Sequence, residues 1–300
     1  MTSASQTIAI PPPLPATAHF SKWSALIALY LLTLRQHVHG KRWMVMTLLF
    51  LLPAALALIV RHTAHDVPPV NIEFIFVFMF IPQALLPLVA LIYASGMIQD
   101  EQEEQTITYL LIRPIAKWAI YLTKLLATLT TTVCLTAIFT AITYAVIYIG
   151  TDSSTESIPL RCMKAISIHA LAVITYCCLF GLISLFTQRA LVVGILYTAI
   201  FEGLFANLAF GVRLLTVIYY TRIIAYRSLS FMATMRGFPQ NIAADAWQLD
   251  VTNDPQLLEH PQTSTCLLVL LMASLTFALL AAFICSRREF HVKTPEKSGN

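Results

Sequence analysis

The chain has 300 residues, of which 58% are apolar and only 11% charged, with a formal net charge of +4. An ordinary soluble domain carries about 25% charged residues, so this composition excludes a soluble globular protein and points to a membrane chain, organised in spans. The small positive excess is divided between both sides of those spans and forms no basic stripe interleaved with aromatics. No nucleic-acid partner is therefore expected, and the lipid bilayer is the expected medium.

Residues 1–20 hold no Lys or Arg and no apolar core of signal-peptide type, and they read as a disordered tail. In 21–42 the apolar stretch 24–34 is too short to cross about 30 Å of hydrocarbon. It runs into Arg35, His37 and His39. This predicts an elbow helix lying in the interface, anchored by Trp23 and Tyr30.

Six windows are long and apolar enough to cross: 43–60, 74–97, 118–149, 165–186, 190–210 and 266–286. They divide the chain into spans 1 and 2 (43–97), a connector (98–117), spans 3 to 5 (118–210), a long segment (211–265), span 6 (266–286) and a basic tail (287–300). The third window is long enough to tilt or to project from the bilayer.

Lys22, Arg35, Lys41, Arg42, Arg113, Lys117, Lys124, Arg189, Arg287, Arg288, Lys293 and Lys297 gather on one side. The excess makes that side cytoplasmic, with both termini on it. The expected fold class is an all-α integral membrane protein: an N-terminal interfacial elbow helix plus six transmembrane helices, N- and C-termini cytoplasmic. The expected location is the cell (plasma or inner) membrane.

The extracytoplasmic segment 211–265 opens by mixing Arg213, Arg222 and Arg227 with aliphatic residues and Tyr219, Tyr220 and Tyr226, which suits the headgroup layer. Its second half is polar, acidic and rich in turn formers, and predicts a partly ordered cap in water.

The connector is the most informative stretch. Asp100, Glu101, Glu103 and Glu104 crowd its start, while Ile107, Leu110, Leu111 and Pro114 follow at i, i+3, i+4 and i+7, one helical face. Arg113 and Lys117 close it, so charge matches the helix dipole at both ends. Acids held against an anionic leaflet are repelled unless a basic surface neutralises them. That favours a helix docking on a partner, with a solvated charged turn as the alternative.

The string DEQEEQTITYLLIRPIAKWAIYLTK resembles the connector between the second and third spans of the ABC type-2 permease family, the membrane subunits of ATP-driven exporters. The matching positions are Glu101, Glu104, Thr106, Leu110, Leu111, Pro114, Lys117 and Lys124, with Gln105 where the family usually has Gly. The stretch FEGLFANLAFGVRLLTV also looks like the end of the fifth span in a subset of those permeases.

The resemblance implies a coupling helix inserted into a separate nucleotide-binding ATPase subunit. Its contacts would be Asp100, Glu101, Glu103, Glu104, Thr106, Ile107, Leu110, Leu111, Arg113 and Pro114. It also implies a homodimer or a pairing with a paralogous permease. The chain has no GxxxxGK[ST] loop, so ATP and Mg2+ are expected on the partner subunit and no cofactor on this chain.

Within the spans, Glu202 is the carboxylate that stands out, about 18 Å from the inner edge if the fifth span starts at Ala190. An ionised acid there costs on the order of 2–3 kcal/mol or more. Glu202 and Asn207 are therefore candidate pathway or gate residues, the alternative being a structural acid paired with Lys164, Arg161 or a backbone amide. Pro82 and Gln83 predict a kink whose freed carbonyl is met by a neighbour. Lys124 is expected to snorkel.

His37 and His39 at i, i+2 do not share a helical face, and the six cysteines show no metal-like spacing, so no metal site is expected. Most of the cysteines read as small apolar packing residues; Cys162 and Cys266 alone fall near the outer face, where a bridge between them is the alternative. The absence of GxSxG, HExxH or paired acids on one span leaves no catalytic residue and no enzyme expected of the chain itself.

These features lead to the permease subunit of an ATP-driven exporter for a hydrophobic or amphipathic substrate. A proton-coupled secondary carrier using Glu202, or a non-transport membrane scaffold, are the alternatives.

Overall fold

The computed structural model describes residues 22–64, 67–103, 116–150, 158–187, 189–207, 211–235, 238–249 and 260–287. The expected N-terminal tail, connector residues 104–115 and the basic tail from Arg288 lie outside the described residues.

Among the described residues six helices are long and apolar enough to cross a membrane. Helix α1 (Lys22–His39) leads through Gly40 into α2 (Lys41–Thr63), the first span. The second span joins α3 (Pro69–Glu73), a π-helical segment (Phe74–Leu85) and α4 (Leu86–Glu103). The third is α5 (Lys117–Tyr148) and the fourth α6 (Ile158–Phe186). The fifth joins α7 (Ala190–Tyr197) to a π-helical turn (Thr198–Leu204) and a 3-10 turn (Phe205–Asn207).

A second 3-10 turn (Gly211–Leu215) leads to α8 (Val217–Ser228), strands β1 (Met232–Met235) and β2 (Phe238–Asn241), and α9 (Ile242–Ala246). Helix α10 (Thr263–Arg287) is the sixth span. The strands pair antiparallel with Met232 opposite Asn241. This small ladder sits outside an otherwise helical membrane protein.

Burial separates centre from rim. In the second and fourth spans 61% and 72% of the most apolar window is buried, against 22–28% in the first, fifth and sixth. The rim spans instead expose large apolar side chains such as Leu48, Leu58, Val192, Leu196, Leu268 and Leu279, the surface that hydrocarbon covers.

Helix α5 meets the centre through buried threonines, among them Thr131, Thr132, Thr136, Thr140 and Thr143. Thr131, Thr132, Thr136 and Thr143 each return their hydroxyl to the carbonyl four residues back at 2.7–2.9 Å, leaving a narrow surface for close helix approach. On the facing α6, Cys177 lies 3.5 Å from Thr132 Oγ1 and His169 Nδ1 lies 3.1 Å from Thr140 Oγ1.

The π-helical segment has a local cause. Pro82 lacks an N–H, and in an i→i−5 ladder its missing donor is the one owed to Val77. The Val77 carbonyl lies against the His169 ring.

Contacts fix two ends of the bundle. At the cap end, Arg61 at the close of α2 donates through Nη1 to the Val146 carbonyl at 2.8 Å and through Nη2 to the Ile149 carbonyl, satisfying the last turn of α5. At the connector end, Lys124 reaches Met97 and the Cys285 thiol lies 3.7 Å from the Lys117 carbonyl. Two residues seven apart on α1, Tyr30 and His37, meet the consecutive Thr130 and Thr131 of α5 at 3.1 and 3.2 Å. Helix α1 thus crosses α5 instead of following it.

The fourth helix starts earlier than the apolar window, at Ile158, and so carries Arg161 and Lys164. It can do so because both charges find partners, described below. All six cysteines are free, so the bridge between Cys162 and Cys266 is not formed.

Candidate functional sites at the two ends of the bundle

At the connector end, α4 runs on from the buried Met97 to Glu103, which puts Asp100, Glu101 and Glu103 on its final turns. Glu104, Thr106, Ile107, Leu110, Leu111, Arg113 and Pro114 lie outside the described residues.

Lys124 does not snorkel. It is 4% exposed and its Nζ donates to the Met97 carbonyl at 3.1 Å. The reason is lateral packing: α4, α6 and α10 enclose this part of α5, and Tyr121, Leu125, Cys178, Leu182 and Ala281 form a separate apolar cluster with Met97. An ammonium enclosed in this way needs an acceptor within reach, and Met97 supplies one.

At the cap end there are two polar hubs. The first centres on Glu73, which is fully buried. Arg161 donates through Nε to Oε1 at 3.3 Å and through Nη2 to both oxygens at 3.1 Å. Tyr144 donates to Oε1 at 2.7 Å and Tyr148 to Oε2.

Arg161 Nη1 also reaches the Ser230 carbonyl at 3.0 Å, and its guanidinium sits over the Phe231 ring at 5.8 Å. Phe231 packs in turn on Phe74, Phe78 and Trp247. Lys164 donates to the Ser228 carbonyl at 2.9 Å. One buried ion pair therefore ties the second, third and fourth spans to the segment that follows α8.

Glu73 is a second buried carboxylate, at the flank of its span where Glu202 lies deeper in its own. The apolar run begins at Phe74, yet the helix begins at Pro69. The usable signal was the pair of unlike charges at the same-side flanks of two spans, with Tyr144 and Tyr148 at i, i+4 on a third.

The second hub centres on Glu202, also fully buried. Of the three expected kinds of partner it takes the backbone amide. Oε1 accepts from Val217 N at 3.0 Å and Oε2 from Ile218 N at 3.1 Å, while the Thr216 hydroxyl accepts from Tyr219 N at 3.3 Å. The first three donors of α8 are thereby all satisfied, and the carboxylate lies at the positive end of the helix dipole.

Gly203 and the 3-10 turn end the fifth span so that Val217 can return beside it. Asn207 donates to the Gly203 carbonyl at 2.7 Å and accepts from Arg222 Nη1 at 3.0 Å. Burial pulls the Arg222 guanidinium below its ordinary value, with the Glu202 carboxylate opposing the shift. Burial likewise raises the Tyr219 hydroxyl, against the effect of Arg213.

His37 takes part in packing, edge-on to Tyr93 at 5.0 Å and beside Thr131. Among the described residues no group of three or more His, Cys, Asp or Glu could hold a metal ion.

Residues 39–235 match the family model described as ABC-2 family transporter protein. No curated protein matches the chain.

Proposed function

From the premise that the chain belongs to the ABC-2 family of transporter proteins, and is thus the membrane-embedded permease type of ABC transporter subunit, we propose that it serves an ATP-driven exporter. A separate nucleotide-binding subunit holds ATP and Mg2+ and supplies the work. The cargo is hydrophobic or amphipathic.

The observation that carries this reading is the continuous helix from the buried Met97 to Glu103, with Lys124 bonded at its root. A displacement applied to the acidic tip is passed to the bundle through a rigid rod instead of being absorbed in a loop. The acids Asp100, Glu101, Glu103 and Glu104 dock on a basic groove of the ATPase, with Ile107, Leu110 and Leu111 filling it.

Connector and termini lie on the cytoplasmic side. The crossing of α1 over α5 near Thr130 supports an elbow helix lying in the inner interface, with about 20 Å of α5 projecting beyond it. Two permease units, identical or paralogous, face each other, and ATP-driven closure of the partner dimer biases a two-state change in the spans. Glu202 and Asn207 hold the outer gate closed by anchoring α8. The proton-carrier alternative is weakened because both Glu202 oxygens are engaged by fixed backbone donors.

The test is affinity purification of the full-length chain in mild detergent, with identification of the chains that come with it. A Walker-type ATPase that is lost on charge reversal at Glu101, Glu103 and Glu104 supports the proposal. Transport that persists with no ATPase present sinks it.

A further inference from the structure

A small recess opens at the cap end between the close of the fifth span, α8 and α9. Asn207, Arg213, Arg222, Trp247 and Gln248 line it, and its volume is about 20 Å³. That is room for one oxygen-sized group, not for a whole organic molecule.

Its walls are cationic. Arg222 is 9% exposed and uses Nη1 for the Ala206 carbonyl and Asn207 Oδ1, at 3.4 and 3.0 Å. Among the described residues its Nη2 and Nε find no hydrogen-bond partner. Arg213 is held over the Tyr219 ring at 5.2 Å, and among the described residues its guanidinium donates to no acceptor. Among the described residues neither arginine of the recess forms an ion pair with a carboxylate.

Two acids among the described residues lie in this part of the chain. Glu202 acts on Arg222 from a distance while both of its oxygens bind amides of α8, and Asp245 on α9 is exposed and is not part of the wall.

Two further observations converge on the same place. The indole Nε1 of Trp247 is buried and has no acceptor among the described residues, an arrangement that is costly if nothing fills it. Gln248 stands at φ 51, the left-handed region that a residue with a Cβ rarely adopts. Such backbone conformations collect at ligand sites.

We propose that this recess binds an oxygen of a phosphate group, through Arg213, the open edge of Arg222 and the Trp247 indole N–H. Arginine forks match tetrahedral oxyanions, and Tyr219 beneath Arg213 together with Trp247 sets the depth at the headgroup layer. The phosphate of a lipid or lipid-like amphiphile reaches this level with its chains directed along the fifth span. A free phosphate ion offers the same chemistry from the water.

The site is independent of ATP coupling, and its test needs no ATPase. The thermal unfolding midpoint of the full-length chain in neutral detergent is followed during titration with short-chain phosphatidylglycerol, inorganic phosphate and the matching diacylglycerol. Arg222→Gln also removes the bonds to Ala206 and Asn207, so Arg213→Gln and Trp247→Phe are the informative variants.

The expected result is a saturable rise with phosphatidylglycerol and none with diacylglycerol. Arg213→Gln weakens apparent affinity roughly tenfold, the value of one charge-assisted bond, and Trp247→Phe weakens it less. A matching rise with inorganic phosphate, lost in the same variants, assigns the site to the free ion. Its absence assigns the site to the lipid headgroup. No rise with either probe, or a rise that Arg213→Gln leaves unchanged, overturns the proposal.

Discussion

Arg161 and Glu73 form a two-pronged ion pair whose side chains are 7% and 0% exposed. Desolvating both charges is costly, and here the cost is offset by completing the hydrogen bonds: Tyr144 and Tyr148 take up the remaining carboxylate valences and Ser230 takes the other guanidinium nitrogen. Removing one member strands the other. Glu73→Gln or Arg161→Met is expected to destabilise by about 3–5 kcal/mol, and the double variant by clearly less than the sum. Denaturant unfolding of the purified chain in detergent measures this; strict additivity would show that the two groups are not coupled.

For Glu202 the expected effect is local. Glu202→Gln keeps one oxygen for one amide and turns an NH2 group toward the other, leaving a buried donor of α8 unpaired at about 1–3 kcal/mol. Hydrogen exchange at Val217 and Ile218 is expected to speed up while the amides of α6 keep their protection. If the anchor also holds the outer gate, export falls in the same variant while assembly is retained. Unchanged exchange at both amides removes the anchoring role altogether.

The bundle was legible because hydropathy reports length and apolarity directly, and six windows suffice to reveal six helices. Partnerships were less so. A window that starts at Phe74 stops at the first charge, although Glu73 is helical and buried, since hydropathy scores a side chain without knowing that Arg161 will meet it. Lys124 departs from the snorkelling expectation for the same reason, because snorkelling assumes open hydrocarbon beside the stem and α6 and α10 close that route. Glu202 was found because it lies inside its window, yet its partners, fifteen and sixteen residues onward, depend on a chain reversal that no local pattern encodes.

Gly194 predicts how the rim is held to the centre. A Cβ built there would come within 2.1 Å of Leu91 Cδ1 and 3.0–3.1 Å of Leu91 Cδ2 and Cγ, so Leu91 of the second span occupies the space a side chain at this position of the fifth would need. Gly194→Ala requires Leu91 to change rotamer, and Gly194→Val separates the helices, with overpacking costs of about 1–3 kcal/mol. The thermal midpoint is expected to fall from alanine to valine, and Leu91→Ala should recover much of the loss in the valine variant. Failure of that recovery would place the tight contact elsewhere.

Lys124 tests the rod at its root. Its ammonium is buried and bonds a carbonyl that also belongs to the α4 ladder, so Lys124→Met removes a desolvated charge while keeping the length of the stem. Removing the ammonium leaves its acceptors without a donor, at about 1–3 kcal/mol, while the stem keeps the packing, and the variant is therefore expected to fold with a lowered unfolding midpoint. What it loses is the tie between α5 and the turn of α4 that leads to Asp100. If the acidic tip relays work through that tie, the ATPase in the assembled complex turns over as it does without the permease, although the two still co-purify. Lys124→Arg, which can reach the same carbonyl, restores part of the coupling. A Lys124→Met complex whose ATP turnover responds to the permease as fully as the parent would show that force enters the bundle by another route.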